Sequence, residues 1–370
     1  PSLRVEKASR ASCTQRAGRA GRTREGRAYR LYTRADFDAR PEHETPELLR
    51  VDLTQTVLEL RASGAIDLRW LDPPPPKALA AAEELLARLE AIDARGAITE
   101  TGRAMLRLPL HPRVARMVVE AERRGVADDG VTAAALLGER DIRMATRARI
   151  GGPIRTSDLA TDRSDVLAML DALYEGDDVD RGAARRVELA RKQLRRLVRG
   201  TQRLRGKAAE DALLTAILAG YTDRVAKRLS GRALALAGGK AELAETSVVR
   251  DAPLMVAVDA EQRGTTVLVR VASEVTPEQL VELAPDRLDE RAVVEWNASA
   301  ERAERVTRLV YDGLPIEETR APTTGPEASE LLFRAALGAG LAGADFRTLR
   351  LRAAFAKVPL DDAAIEHALR

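Results

Sequence analysis

The sequence predicts a multi-domain chain that is mainly α-helical with a C-terminal β part. Three observations carry that expectation. The length of 370 residues exceeds one ordinary domain and suggests two or three. Apolar residues recur at steps of three and four from Pro46 to Leu204. From about Asp223 the period falls to two, the spacing of half-buried strands. With 45% hydrophobic and 32% charged residues the chain can bury real cores, which excludes wholesale disorder. No run of 18 apolar residues is present and neither end resembles a signal peptide, so the expectation is a soluble, cytoplasmic protein with no membrane partner. The single cysteine, Cys13, can form no internal disulfide and no Cys-rich metal site.

Residues 1–33 read as short segments around a Gly/Arg-rich stretch, with residues 28–32 alternating as a strand. Within 34–111 the pattern turns helical from Pro46: Leu49, Leu53, Val57 and Leu60 share one face. Pro73 to Pro76 exclude helix, and Ala82, Leu85, Leu86, Leu89 and Ile92 then form a second face. The following ARGAITETGRAMLRLPLHP suggests a hairpin, or a short helix with a flanking strand. Helices followed by a small hairpin make the winged-helix arrangement. Residues 112–215 read as a helical bundle, in which Val114, Met117, Val118 and Ala121 share a face, as do Val131, Ala134, Ala135 and Gly138. A further stripe runs through Val187, Ala190, Leu194, Leu197, Thr201 and Leu204.

Over 216–322, PLMVAVDAEQRGTTVLVRVASEV reads as strand, turn at Arg263 and Gly264, and strand. A short helix from Pro277 to Leu283 follows, and strand patterns resume at 293–295 and 305–311. Five or more short strands with one helix predict a small barrel of the oligonucleotide/oligosaccharide-binding (OB) type. The linker APTTGP leads into a helical tail, 323–370.

The net charge of +3 conceals an asymmetry. Residues 1–34 carry ten basic groups against Glu6 and Glu25, a balance of +8, and residues 181–205 carry ten against Glu188, a balance of +9. The remainder is therefore at −14. Two basic islands in an acidic chain are a plausible phosphate footprint. On the second island Arg191, Arg195, Arg196 and Arg199 flank the apolar stripe, giving either a nucleic-acid contact edge or a solvated helix face.

Gln15 to Arg22 spell Q-R-A-G-R-A-G-R. Glycines let a backbone approach a ligand closely, and arginines three apart can converge on one polyphosphate. An arginine facing a transferring phosphoryl group is worth roughly 10³–10⁵ in rate in related chemistry. A basic loop gripping a nucleic-acid backbone is the competing reading of the composition, and the ordered string makes it the weaker one.

QRAGRAGR resembles motif VI of superfamily 2 helicases in its DEAH-box form, as do the flanks SRASCT and EGRAYRLYT. TPELLRVDL, LDPPPPKAL, LEAIDARGAITETGRAMLRLPLHPRVARMV and AALLGERD resemble the winged-helix and bundle segments of that family. AGYTDRVAKRL and the strands after it resemble the bacterial HrpB branch of ATP-dependent RNA helicases. The resemblance extends through about residue 320. It implies that residues 1–33 are the C-terminal edge of a second RecA-like domain, that the bundle is ratchet-like, and that 323–370 begin a C-terminal helical extension. It makes Arg19 and Arg22 arginine fingers on the ATP phosphates and Gln15 a positioner of the attacking water, with Arg16 stabilising the loop. It further implies ATP and Mg²⁺ as cofactors, and 3′ to 5′ translocation on single-stranded RNA, with DNA as a second polymer to test. The partners implied are that RNA and the N-terminal RecA-like domains of the same polypeptide.

The departures are specific. No G-x-x-x-x-G-K-[ST] occurs, because Gly206–Lys207 and Gly239–Lys240 are each followed by Ala, and no D-E-A-H occurs. The chain as given is therefore expected not to hydrolyse ATP. The alternative expectation is a non-enzymatic nucleic-acid- or protein-binding accessory module derived from a helicase. His43, His111 and His367 lack metal-ligand spacing, so no metal site is expected, and His111 reads as a structural joint. The acidic pairs at 128–129, 177–178 and 361–362 read as caps and turns. Tyr221, Trp296 and Tyr311 are too few for an extended stacking platform, and Trp296 reads as core.

Overall fold

The computed structural model describes residues 7–65, 68–139, 141–143, 162–176, 179–264, 266–338 and 344–369. It divides into two units, residues 1–106 and 107–370.

The first unit opens with α1 (Arg10–Gly18), whose N-terminus is capped by the Ser9 hydroxyl accepting from the Ser12 amide. A 3₁₀ turn (Arg19–Gly21) extends it, and α2 (Arg34–Asp38) follows. Residues 28–32, expected as a strand, form no strand pairing with a described residue. Tyr29 and Leu31 on this segment are 81% and 97% exposed. The alternation is real, but among the described residues no neighbouring strand receives it. α3 (Thr54–Ser63) ends at Gly64, whose φ of 74° supplies the left-handed C-terminal turn.

α4 (Pro76–Arg88) starts with proline at its first position, where no amide is needed, and buries Ala82, Leu85 and Leu86. A tight turn around Asp93 then brings Ile92 opposite Ile98. α5 (Glu100–Met105) is capped by Thr99. Gly102 packs so closely on the turn that a Cβ there would lie 2.2 Å from the Ala91 carbonyl oxygen. The hairpin therefore exists as one bridge followed by a short helix, within the alternatives its sequence allowed.

In the second unit α6 (Pro112–Arg123) and α7 (Ala127–Leu137) cross closely, because Gly130 presents no side chain to Ala121. His111 caps α6, its Nδ1 accepting from the Arg113 amide at 3.3 Å. α8 (Asp165–Glu175), α9 (Arg181–Arg195) and α10 (Lys207–Gly220) complete the described helices of this region. The helix of the second basic island ends at Arg195, earlier than the apolar stripe suggested. Residues 198–205 run as irregular chain instead.

Five strands close a barrel: β1 (Val225–Ser230), β2 (Ala233–Leu236), β3 (Gly239–Leu243), β4 (Leu254–Arg263) and β5 (Thr266–Glu274). Their order is β1-β2-β3-β5-β4, with β3 parallel to β5 and the other pairs antiparallel. Ala226, Leu234, Met255, Val269 and Ala272 fill its core. Asp165, fully buried at the start of α8, joins that helix to the barrel. Its carboxylate accepts from the Ser247 hydroxyl at 2.7 Å and from the Val248 and Ala272 amides at 2.9 Å each.

The remaining strands lie outside the barrel to which the sequence pattern assigned them. After α11 (Pro277–Leu283), the strands β6 (Leu288–Asn297), β7 (Arg302–Tyr311) and β8 (Leu314–Pro322) form a separate antiparallel meander. A closed barrel has no free edge to extend, so these strands pair with one another. Tyr311 ties the meander to the barrel entrance by donating to the Thr222 carbonyl at 2.9 Å. The tail forms α12 (Pro326–Gly338), which packs on β6 and β7, then α13 (Ala344–Phe355) and α14 (Asp362–Leu369). No helix among the described residues is long and apolar enough to cross a membrane.

Candidate functional site

α1 has two faces that differ in what holds them. Ser9, Cys13 and Ala17, four apart, face inward, and Cys13 is buried. Arg40 reaches this side, donating to the Ala8 carbonyl at 3.2 Å and to Cys13 Sγ at 3.4 Å, while its guanidinium lies 4.1 Å from the centre of the Tyr32 ring. Asp36 binds Arg40 at 2.6 Å and also accepts from Lys7; hydrogen bonds from Lys7 and then Arg40 hold its carboxyl below the usual range. Tyr32 stacks on Phe37, with ring centres 6.3 Å apart, and Arg30 covers the other ring. The aromatic and basic residues following the motif thus fasten the helix from one side.

Gln15 lies in the last turn of α1, Arg19 opens the 3₁₀ turn and Arg22 follows it. All three are exposed, and none makes an ion pair or side-chain hydrogen bond with a described residue. Arg16 is exposed beside them. A Cβ added at Gly18 or Gly21 would meet nothing within 4 Å, and Gly18 has an ordinary helical φ of −62°. Neither glycine is required by local packing or by backbone strain. Gly26 differs: a Cβ there would lie 2.0 Å from the Ala20 carbonyl oxygen, so the returning chain needs it bare.

The second basic island separates into two kinds of cation. Arg191 binds Glu188 at 2.8 and 3.0 Å, and Arg195 pairs with Asp128 at 2.5 Å while donating to the Val198 carbonyl. Arg196 and Arg199 are exposed and have no ion pair among the described residues. Sequence spacing groups all four along one edge. Only the fold shows that α7 supplies a carboxylate to Arg195.

The other sequence-marked groups fall where chemistry is not assembled. Asp128 and Asp129 lie in the first turn of α7, and Asp361 accepts from the Ala364 amide at the start of α14. Asp177 and Asp178 lie outside the described residues. Trp296 is half-buried on β6 opposite Ala303. No group of three or more His, Cys, Asp or Glu among the described residues could hold a metal ion.

Residues 82–110, from the second half of α4 through α5, match the helicase-associated domain (HA2), winged-helix, family. Along nearly its whole length the chain superposes on the crystal structure of the Escherichia coli DExH-box NTPase HrpB, with a TM-score of 0.57 and 24% identity over 99% of this chain. The chain shares its fold with HrpB. A second crystal structure, of the Escherichia coli DEAH/RHA helicase HrpB, matches with the same TM-score and identity over 98% of the chain. In both cases the chain spans 44% of the length of the HrpB chain it matches.

Proposed function

We propose that this chain is the C-terminal portion of an ATP-dependent RNA helicase of the DEAH/HrpB type. In this reading it supplies motif VI to a nucleotide site completed by RecA-like domains of the same polypeptide. One observation carries it: Gln15, Arg19 and Arg22 are each exposed with no partner among the described residues, around two glycines that the chain does not need for its own packing. The fold shared with HrpB and the HA2 segment support the same reading.

The residues present fit a polyphosphate. Two exposed, unpaired guanidiniums three positions apart can donate to phosphate oxygens, and Gly18 and Gly21 leave the backbone open to close approach. ATP with Mg²⁺, when bound, supplies the phosphoryl group whose transfer drives movement. Arg19 and Arg22 would neutralise charge that develops on it, and Gln15 would orient the attacking water. The chain carries no phosphate-cradling loop and no D-E-A-H, so in this reading it has no turnover alone. The bundle and OB-like barrel would line a path for single-stranded RNA, moved 3′ to 5′ in the cytoplasm. Contacts would be mainly to phosphate and weak in sequence preference.

The intact mass of the endogenous protein tests this. Two RecA-like domains would add roughly 200–400 residues, so a mass far above 40 kDa is expected. A mass near 40 kDa would favour the alternative of a non-enzymatic accessory module that binds nucleic acid or protein.

A further inference from the structure

Residues 196–207 leave α9 and reach α10 as a strap bolted by its backbone to the turn between α6 and α7. The Glu122 carboxylate accepts the Arg199 and Gly200 amides at 3.0 and 2.7 Å. The Gly125 carbonyl accepts the Arg203 and Leu204 amides at 2.7 and 3.2 Å. Gln202 turns inward, its Oε1 accepting from the Asp128 amide at 3.1 Å and its Nε2 donating to Asp129 at 2.6 Å and to the Leu204 carbonyl at 3.1 Å. Two glycines permit the close approach: a Cβ at Gly200 would lie 2.6 Å from Glu122 Cγ, and Gly125 adopts a φ of 77° against Arg203.

The side chains alternate along this strap. Gln202 and Leu204 are half-buried, whereas Arg203 and Arg205 are exposed. Arg196, Arg199 and Lys207 are exposed as well, and none of these five cations has an ion pair among the described residues. On α9, by comparison, Arg186, Arg191 and Arg195 meet carboxylates, while Arg181 and Arg185 are exposed without an ion pair among the described residues. No acidic residue occurs from 196 to 207.

We infer that this strap is a preorganised phosphate-binding rail for single-stranded RNA. The inference rests on the RNA-binding reading above and relocates its contacts from the helix to the strap. Arg199, Arg203 and Arg205 stand exposed on a backbone that these bonds hold in place, free to donate to phosphate oxygens. Fixing the backbone beforehand lowers the ordering cost of binding. An acidic protein surface is the less favoured occupant, because the outward positions at 199, 203 and 205 carry charge without an apolar anchor between them.

The test is binding of labelled oligouridylate to the 370-residue chain across a salt series. Arg199→Ala, Arg203→Ala and Arg205→Ala combined should weaken binding roughly tenfold or more and reduce the salt slope by about 2. A control removing three ion-paired arginines, Arg186→Ala, Arg232→Ala (paired with Glu242) and Arg334→Ala (paired with Glu330), should stay within about twofold in the same assay. Arg203→Lys with Arg205→Lys keeps the charge and should retain affinity, which separates loss of charge from loss of fold. If the parent chain binds but the strap variant matches the control, the rail is overturned and the RNA reading stands. If the parent chain shows no salt-sensitive binding, the RNA reading fails and the rail with it. Strap-dependent binding of polyglutamate without binding of oligouridylate would also overturn the proposal, in favour of an acidic protein.

Discussion

Arg113 and Asp223 form a two-pronged ion pair, Nη1 to Oδ1 at 2.5 Å and Nη2 to Oδ2 at 2.7 Å, across 110 positions of sequence. It joins the first turn of α6 to the entry of the barrel. Burial would push the Asp223 carboxyl up, but hydrogen bonds from Arg113 outweigh it and hold it below the usual range. Replacing the carboxylate strands a buried guanidinium. Asp223→Ala is expected to destabilise the second unit by about 3 kcal/mol or more, measured as a fall in urea midpoint at unchanged m-value.

Glu120 makes the bundle sensitive to acid. It is 2% exposed and binds Arg116, Arg123 and Arg124. Burial opposes its charge, yet hydrogen bonds from Arg123 and Arg116 bring its pKa down to about 2 from 4.5. A depressed carboxyl contributes stability that is complete above the unfolded value and lost as pH falls through the folded one. The contribution, on the order of 3 kcal/mol, should therefore disappear between pH 4.5 and about 2. Glu120→Gln should flatten that part of a stability-versus-pH curve; an unchanged curve would contradict the assignment.

Two glycine substitutions should behave in opposite ways. Gly102→Ala drives a methyl group onto the Ala91 carbonyl and should cost about 1–3 kcal/mol of stability in the first unit. Gly18→Ala meets open space at a helical φ and should leave stability unchanged or raise it by up to about 1 kcal/mol. Under the proposed function the same Gly18→Ala in the complete protein should nonetheless reduce ATP turnover, because nucleotide would approach the backbone through that open space. Thermal unfolding measures the first pair of effects and an ATPase assay the second.

Much of the architecture was legible because it follows from local pattern. The helical region, the turn at Arg263 and Gly264, the helix from Pro277 and the helical tail each had a period or a punctuating residue in the sequence. What failed to show depends on partners distant in sequence. The stripe through Leu197 and Leu204 continued a helical spacing, yet Glu122 and Gln202 capture the backbone there and end α9 at Arg195. The pairing of Arg195 with Asp128 needs α7 beside α9, which spacing cannot reveal. The division of the strands into barrel and meander follows from barrel closure, a property of no single strand. At the candidate site the string Q-R-A-G-R-A-G-R announced itself. The fastening of its helix through Cys13, Tyr32, Asp36 and Arg40 carried no sequence signal beyond a buried cysteine and two aromatics.

The most direct test of the central claim is RNA-stimulated ATP turnover by the full translation product of the gene, with Arg19→Ala and Arg22→Ala made singly. The account predicts that each variant loses turnover by roughly 10³-fold or more while oligouridylate affinity stays within about twofold of the parent. Turnover unchanged by either substitution, or equal losses of turnover and RNA binding with a lowered melting temperature, would contradict it.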